Sequence, residues 1–171
     1  MRRTCCITMP KGDVIVQQHE VAFVKINYSQ MKTNPAECLY CTKNQTQKDL
    51  MIKICDLSVS ELFLFKEQSY HGRTLVAYKG HVDGLFELSD EERNAFMADV
   101  AKAAAAMDKA FHPDKINFGA YSDTLSHLHF HIVPKYQGAF GCGGIFEMNP
   151  KQKYLTDEEY TQVIDAIKAA L

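Results

Sequence analysis

The hydrophobic and polar positions of this chain change period several times, and each change marks a predicted element. Residues 126–134, Ser-His-Leu-His-Phe-His-Ile-Val-Pro, alternate histidine with large apolar side chains. A period of two is that of a half-buried strand. Successive strand side chains point to opposite faces, so His127, His129 and His131 share one face while Leu128, Phe130 and Ile132 enter a core. At ~3.3 Å rise per residue, neighbouring imidazoles lie roughly 6–7 Å apart, within reach of one phosphate or one metal. Residues 50–55, 61–65, 73–78 and 116–121 read as further short strands, separated by glycine and serine punctuation. Short connections between short strands predict antiparallel meander pairing.

Two stretches switch to the helical period. Ser89-Asp90-Glu91-Glu92 is a capping box with acidic residues in the first turn. Phe96, Val100, Met107 and Phe111 follow as an apolar stripe with interleaved alanines, and His112-Pro113 stops it. Thr156-Asp157-Glu158-Glu159 is a second capping box, ahead of a face made by Tyr160, Val163, Ile164, Ile167 and Leu171. Residues 138–144 form a glycine-rich loop. The expected fold class is α+β: an antiparallel meander sheet with one long helix packed on it and a C-terminal helix. Residues 37–171 carry this pattern. Residues 1–36 do not: they hold two short apolar runs, at 14–16 and 21–26. They are expected to be an N-terminal extension, with residues 1–30 poorly packed or the product of an upstream start codon.

Composition narrows the class without changing the picture. The 171 residues suffice for one domain with a real core. Nineteen basic and 21 acidic residues give a formal charge of −2. A general nucleic-acid binder would show a basic bias instead. No apolar run reaches the ~20 residues of a membrane span. Met1-Arg2-Arg3 is not followed by the apolar stretch of a signal peptide. Six cysteines without such a signal suggest a reducing compartment, metal or thiol roles, and a cytoplasmic location.

The cysteine spacing adds candidate chemistry. Cys38-Leu39-Tyr40-Cys41 is a Cys-x-x-Cys, by itself open to zinc or redox readings. A redox site wants a βαβ context, which the pattern lacks. A zinc site wants two more nitrogen or sulfur ligands, and His71, His81, His112 and His127 are available.

The form His-φ-His-φ-His-φ-φ at residues 127–133, with φ apolar, resembles the signature of the histidine-triad (HIT) family of nucleotide hydrolases and transferases. The resemblance runs from about Cys38 to the C-terminus. It implies several assignments. His129, the middle histidine, would be a nucleophile that attacks the α-phosphate of a nucleotide, with His131 contacting the phosphate and helping leaving-group charge. Cys38, Cys41, His81 and His127 would hold one structural zinc per chain. Asn117, followed two residues later by Gly119, would contact phosphate. Thr124 could donate to phosphate, although Asp123 beside it departs from the family pattern. Phe63 and Phe65 lie where the family builds its base-and-ribose pocket. The usual Gly-His before the third strand is Gly72-Arg73 here. Arg73, Lys66, Lys79 and Lys135 are expected at the surface, and His19, His71 and His112 to be structural or exposed. The partners implied are a nucleotide substrate and a second copy of the chain in a two-fold dimer.

Three functions follow as expectations. One is a nucleotidyl hydrolase or transferase working through a nucleotidyl-histidine. Its substrate would be a nucleoside phosphoramidate, a dinucleoside polyphosphate or a related conjugate. A second is a zinc-dependent hydrolase with all three triad histidines on a catalytic metal. A third is a non-catalytic nucleotide-binding protein.

Overall fold

The computed structural model describes residues 34–122, 125–148, 150 and 153–171. The expected N-terminal extension, apart from residues 34–36, lies outside them, as do Asp123 and Thr124. Five strands form one antiparallel sheet: β1 (Met51–Asp56), β2 (Ser60–Phe65), β3 (Thr74–Tyr78), β4 (Lys115–Gly119) and β5 (His129–Lys135). Their order is β1-β2-β3-β5-β4. The sheet is therefore a meander through β3 only. The long helix between β3 and β4 carries the chain to the far edge, and β5 then returns into the gap beside β3. That insertion puts the histidine strand inside the sheet, where both neighbours fix its register: His131 faces Leu75 on one side and Gly119 on the other.

The predicted long helix is α3 (Asp90–Phe111), and the terminal helix is α4 (Asp157–Ala170). Both capping boxes close: the Ser89 and Thr156 hydroxyls accept from the Glu92 and Glu159 backbone N–H groups, and each glutamate answers to the cap residue's own N–H. His112 ends α3 in the left-handed conformation at φ 46°, and Pro113 prevents continuation. The apolar stripe of α3, with Phe96, Val100, Ala103 and Met107, packs on Leu62, Leu64, Val76 and Ile132 from one sheet face. Tyr160, Val163 and Ile167 of α4 join the same core.

Asp99 is a polar post within this packing. Its carboxylate accepts hydrogen bonds from the Ser58 backbone N–H and hydroxyl, the Val59 N–H and the Ser60 hydroxyl, at 2.7–3.2 Å. It thereby ties the β1–β2 turn to α3. Burial alone would raise its pKa, but the Ser60 and Ser58 hydroxyls outweigh that and hold the carboxyl below its ordinary value. Asp99→Ala leaves four donors without their acceptor and is expected to cost about 3 kcal/mol. Thermal unfolding should register this as a Tm loss of roughly 6–12 °C; an unchanged Tm would remove Asp99 from the framework.

The opposite sheet face is only partly covered. Phe63, Phe65, Leu75 and Ala77 make a second, smaller core there with Cys38, Tyr40 and Met51. The cover is two helices too short to leave a periodic trace in the sequence, α1 (Leu39–Thr42) and α2 (Gln45–Leu50). Where this cover stops, His129 and His131 emerge.

Candidate functional site

Three side chains on one sheet face do three different things, and their hydrogen bonds say which. His127 lies just before β5. Its Nε2 is 2.8 Å from the Tyr78 carbonyl oxygen, which can only accept, so Nε2 carries the proton and Nδ1 keeps its lone pair. That Nδ1 is 3.3 Å from Cys38 Sγ, 3.7 Å from Cys41 Sγ and 3.3 Å from His81 Nδ1; Cys41 Sγ is 3.3 Å from His81 Nδ1. Among the described residues, Cys38, Cys41, His81 and His127 are the group whose donor atoms all lie within 4.8 Å of one another. A tetrahedral zinc with its usual bond lengths has edges of about 3.3–3.8 Å. Four of the six edges among these donors fall in that range and the other two lie within 4.8 Å, so the set suits such an ion. Burial pushes the His127 pKa down to about 4, so the ring is in its neutral, ligating form. Burial and the adjoining Cys38 thiol push Cys41 up to about 11, a cost that a divalent cation among the sulfurs would reverse. A proton held on Nε2 by a carbonyl is also how metal-bound imidazoles are oriented.

His129 has the opposite tautomer. Its Nδ1 donates to the His127 carbonyl oxygen at 2.6 Å, which leaves the lone pair on Nε2. Burial lowers its pKa, only partly offset by that carbonyl, so the ring is neutral near pH 7. The ring is packed against Tyr40 at 5.3 Å and His131 at 5.2 Å between centroids.

His131 meets a residue that the sequence had placed at the surface. Arg73 has no exposed side-chain surface. One guanidinium nitrogen lies 3.2 Å from His131 Nδ1 and the other donates to the Met148 carbonyl at 2.7 Å. The cation stacks over Phe65 at 4.3 Å, and the Glu67 carboxylate, also buried, lies 3.8 Å away. A paired, stacked guanidinium can be buried where a lone surface-type arginine cannot. Burial lowers Arg73 to about 10, still cationic at neutral pH. The His131 pKa falls to about 2 through burial and the Arg73 charge. Lys135 is a second correction: it too is buried, with its ammonium donating to the Gly141 carbonyl at 2.5 Å and lying over the Tyr70 ring. It anchors the glycine-rich loop from beneath. Lys66 is half-buried, Lys79 is exposed beside Asp56, and His71 and His112 are exposed.

His129 and His131 border a cleft of about 580 Å³ with Tyr40, Phe65, Leu75, Tyr121, Phe146 and Met148. Phe65 thus lines the cleft, whereas Phe63 is core, edge-on to Tyr40. Asn117 lies on the same sheet face as His131, half-buried opposite Val133, but does not border the cleft. Gly119, directly opposite His131, makes room for the rings that flank it: a Cβ there would come 2.6 Å from Phe146 and 2.7 Å from Tyr121. Thr124 lies outside the described residues. Tyr40, Tyr121, Phe146 and Met148 carry no site expectation from the sequence, although Tyr40 lies inside the Cys-x-x-Cys; Arg73 stood out only as the departure from Gly-His, and its burial at the site was not foreseen. Among the described residues His127, His129 and His131 do not form a group of donors within 4.8 Å of one another, the arrangement that a catalytic metal held by all three would need.

Comparison with known proteins bears on the family and the fold. The model of the HIT domain family matches residues 47–138. "Protein hit" of Bacillus subtilis is 30% identical over 90 residues, half of this chain and 62% of that protein, under two thirds of its length. "Adenosine 5'-monophosphoramidase hnt1" of Schizosaccharomyces pombe is 29% identical over 112 residues, 62% of this chain and 80% of that one. A histidine triad protein from Sinorhizobium meliloti superposes with a TM-score of 0.70 at 20% identity, covering 75% of this chain and 95% of that chain. A zinc-bound histidine triad family protein from Mycobacterium smegmatis gives 0.58 at 21% identity, covering 80% and 96%. At such identities the structural likeness speaks for the fold.

Proposed function

Since the chain belongs to the HIT domain family, we propose that it is a nucleotidyl hydrolase or transferase that cleaves at the α-phosphate of a nucleotide conjugate through a nucleotidyl-histidine. One observation carries the reading: His129 is neutral, borders the cleft, and has its Nδ1 proton committed to a carbonyl, so its Nε2 lone pair is available to phosphorus. The imidazole attacks, the conjugate's leaving group departs, and water then releases the nucleoside monophosphate. Splitting the transfer in two leaves each half with a good nucleophile or a good leaving group. Because His129 is held by its own backbone, little positional entropy is lost on attack. The S. pombe relative's name supports a nucleotide phosphorus as the reacting centre. Among the conjugates, phosphoramidates, dinucleoside polyphosphates and mixed anhydrides all present that centre.

Cys38, Cys41, His81 and His127 would hold a zinc ion as part of this proposal. Four protein donors close the coordination sphere, so the ion supplies structure rather than an open site for substrate. A two-fold dimer through α3 and the edge strand β4 belongs to the same proposal. Met97, Ala101 and Ala105 form an exposed stripe at helical spacing, and Phe118 on β4 is 50% exposed.

Two successive in-line displacements restore configuration at phosphorus, whereas one direct attack by water inverts it. Hydrolysis of a P-chiral nucleoside phosphorothioate conjugate in isotopically labelled water is expected to give net retention. Net inversion would exclude the covalent route and leave single-step hydrolysis.

A further inference from the structure

Arg73 limits what His131 can do during the reaction. A guanidinium has N–H donors and no acceptor, so its 3.2 Å contact with His131 Nδ1 requires the lone pair there and the ring proton on Nε2. His131 therefore meets substrate as a neutral ring with one N–H. Such a ring can donate a hydrogen bond, but it can give the proton away only if Nδ1 gains another. The group at Nδ1 is the least acidic cation among the side chains. The contact is held on all sides: Arg73 also donates to the Met148 carbonyl, stacks on Phe65 and faces Glu67. His131 cannot turn its Nδ1 to another donor without unseating a fully buried charge.

Resting on the nucleophilic reading of His129 above, we propose that Arg73 locks His131 as a hydrogen-bond donor that cannot transfer a proton, which restricts the substrate class to nucleotide conjugates whose leaving group departs as a stable anion. Phosphates, carboxylates and aryl oxides meet that requirement; alkyl amines, which must be protonated to leave, do not. The His129 Nε2 lone pair forms the N–P bond. The P–O bond breaks, and its electron pair stays on the leaving oxygen as an anion that accepts the His131 Nε2–H bond. His129 keeps its Nδ1 proton on the His127 carbonyl and carries one positive charge in the adduct. Water then forms the new P–O bond, the N–P pair returns to Nε2, and the water proton goes to solvent.

The test uses the wild-type protein. Turnover is compared across substituted phenyl esters of AMP and GMP and their N-alkyl phosphoramidates. The rate of adduct formation is expected to fall nearly 10-fold per unit of leaving-phenol pKa, as roughly full charge develops on the oxygen. The alkyl phosphoramidates should react at least 100-fold more slowly than the 4-nitrophenyl esters. A shallow dependence, or phosphoramidates turned over as fast as the aryl esters, overturns the proposal while leaving His129 as nucleophile. No turnover of any compound overturns the nucleophilic reading instead. In that case, two-bond proton–nitrogen NMR correlations on the substrate-free protein decide the Arg73 assignment alone. A proton on His131 Nε2 upholds it and a proton on Nδ1 overturns it, with the resonance assigned through His131→Asn. Arg73→Gln, if it folds, should narrow the gap between esters and phosphoramidates by at least 10-fold, because a carboxamide oxygen can accept from Nδ1; an unchanged gap would deny Arg73 the role.

Discussion

His129→Ala is expected to lower kcat at least about 10³-fold, some 4 kcal/mol of transition-state stabilisation, with the protein still folded. The effect is large because the substitution removes the atom that bonds to phosphorus, and no neighbour can replace it. The His127 lone pair faces two sulfurs, and the His131 lone pair faces Arg73. The fold should survive because His129 stands at the edge of the smaller core, in contact with Tyr40 and His131 but outside the packing between α3 and the sheet. Circular dichroism and thermal unfolding monitor that half of the expectation. A folded His129→Ala protein with near wild-type turnover would end the account. The alanine variant should still bind nucleoside monophosphate, since the cleft walls at Phe65, Leu75 and Phe146 are untouched.

Removing the metal should act on stability first. One zinc per chain is expected by metal analysis, and a strong chelator should lower Tm by roughly 8–16 °C, the equivalent of about 4 kcal/mol of ligand stabilisation. The four donors join chain segments up to 89 residues apart, so the ion would tie α1 to the ends of β3 and β5. Losing it releases α1, the main cover over Phe63 and His129. Cys38→Ser should mimic chelation, because Cys38 is fully buried and its oxygen replacement is a poorer zinc ligand. Activity is expected to decline only as the protein unfolds. Immediate loss at a temperature where the fold persists, reversed at once by added zinc, would favour a catalytic metal; metal-free protein of unchanged Tm would dismiss the site.

Much of this architecture is written in periodicity. The capping boxes at Ser89 and Thr156 and the alternation through residues 129–133 are local devices, and local devices are legible in a single sequence. The order of strands is not local. Nothing in residues 115–135 says that β5 sits between β3 and β4; that follows from where the 22 residues of α3 deliver the chain. The helices α1 and α2 were missed because four and six residues cannot display a helical period. The site divides in the same way. His127, His129 and His131 are conspicuous because histidine is costly on a strand face without a use. Arg73 and Lys135 are inconspicuous because such residues lie at the surface in most proteins. Both are buried here only because distant partners receive their charge: Glu67 and the Met148 carbonyl for Arg73, and the Gly141 and Gly144 carbonyls for Lys135. Those partners come from loops whose positions no pattern records.

The family resemblance already implied separate duties for the three histidines; the strand period by itself did not, and the coordinates add the hydrogen bonds that set each ring's tautomer. A shared face suggested shared duty, whether on one metal or on one phosphate. Hydrogen bonding separates them: one lone pair points to a thiol pair, one is left for substrate, and one is covered by a guanidinium.

Rapid alkaline quenching of a single turnover, followed by peptide mass spectrometry, looks straight at the proposed bond. With adenylyl and guanylyl conjugates offered separately, a nucleoside monophosphate mass added to the peptide containing His129, and fragmentation placing it on that residue, is the expected result. Turnover without any such adduct at times shorter than one catalytic cycle, or an adduct on His131 instead, would contradict it.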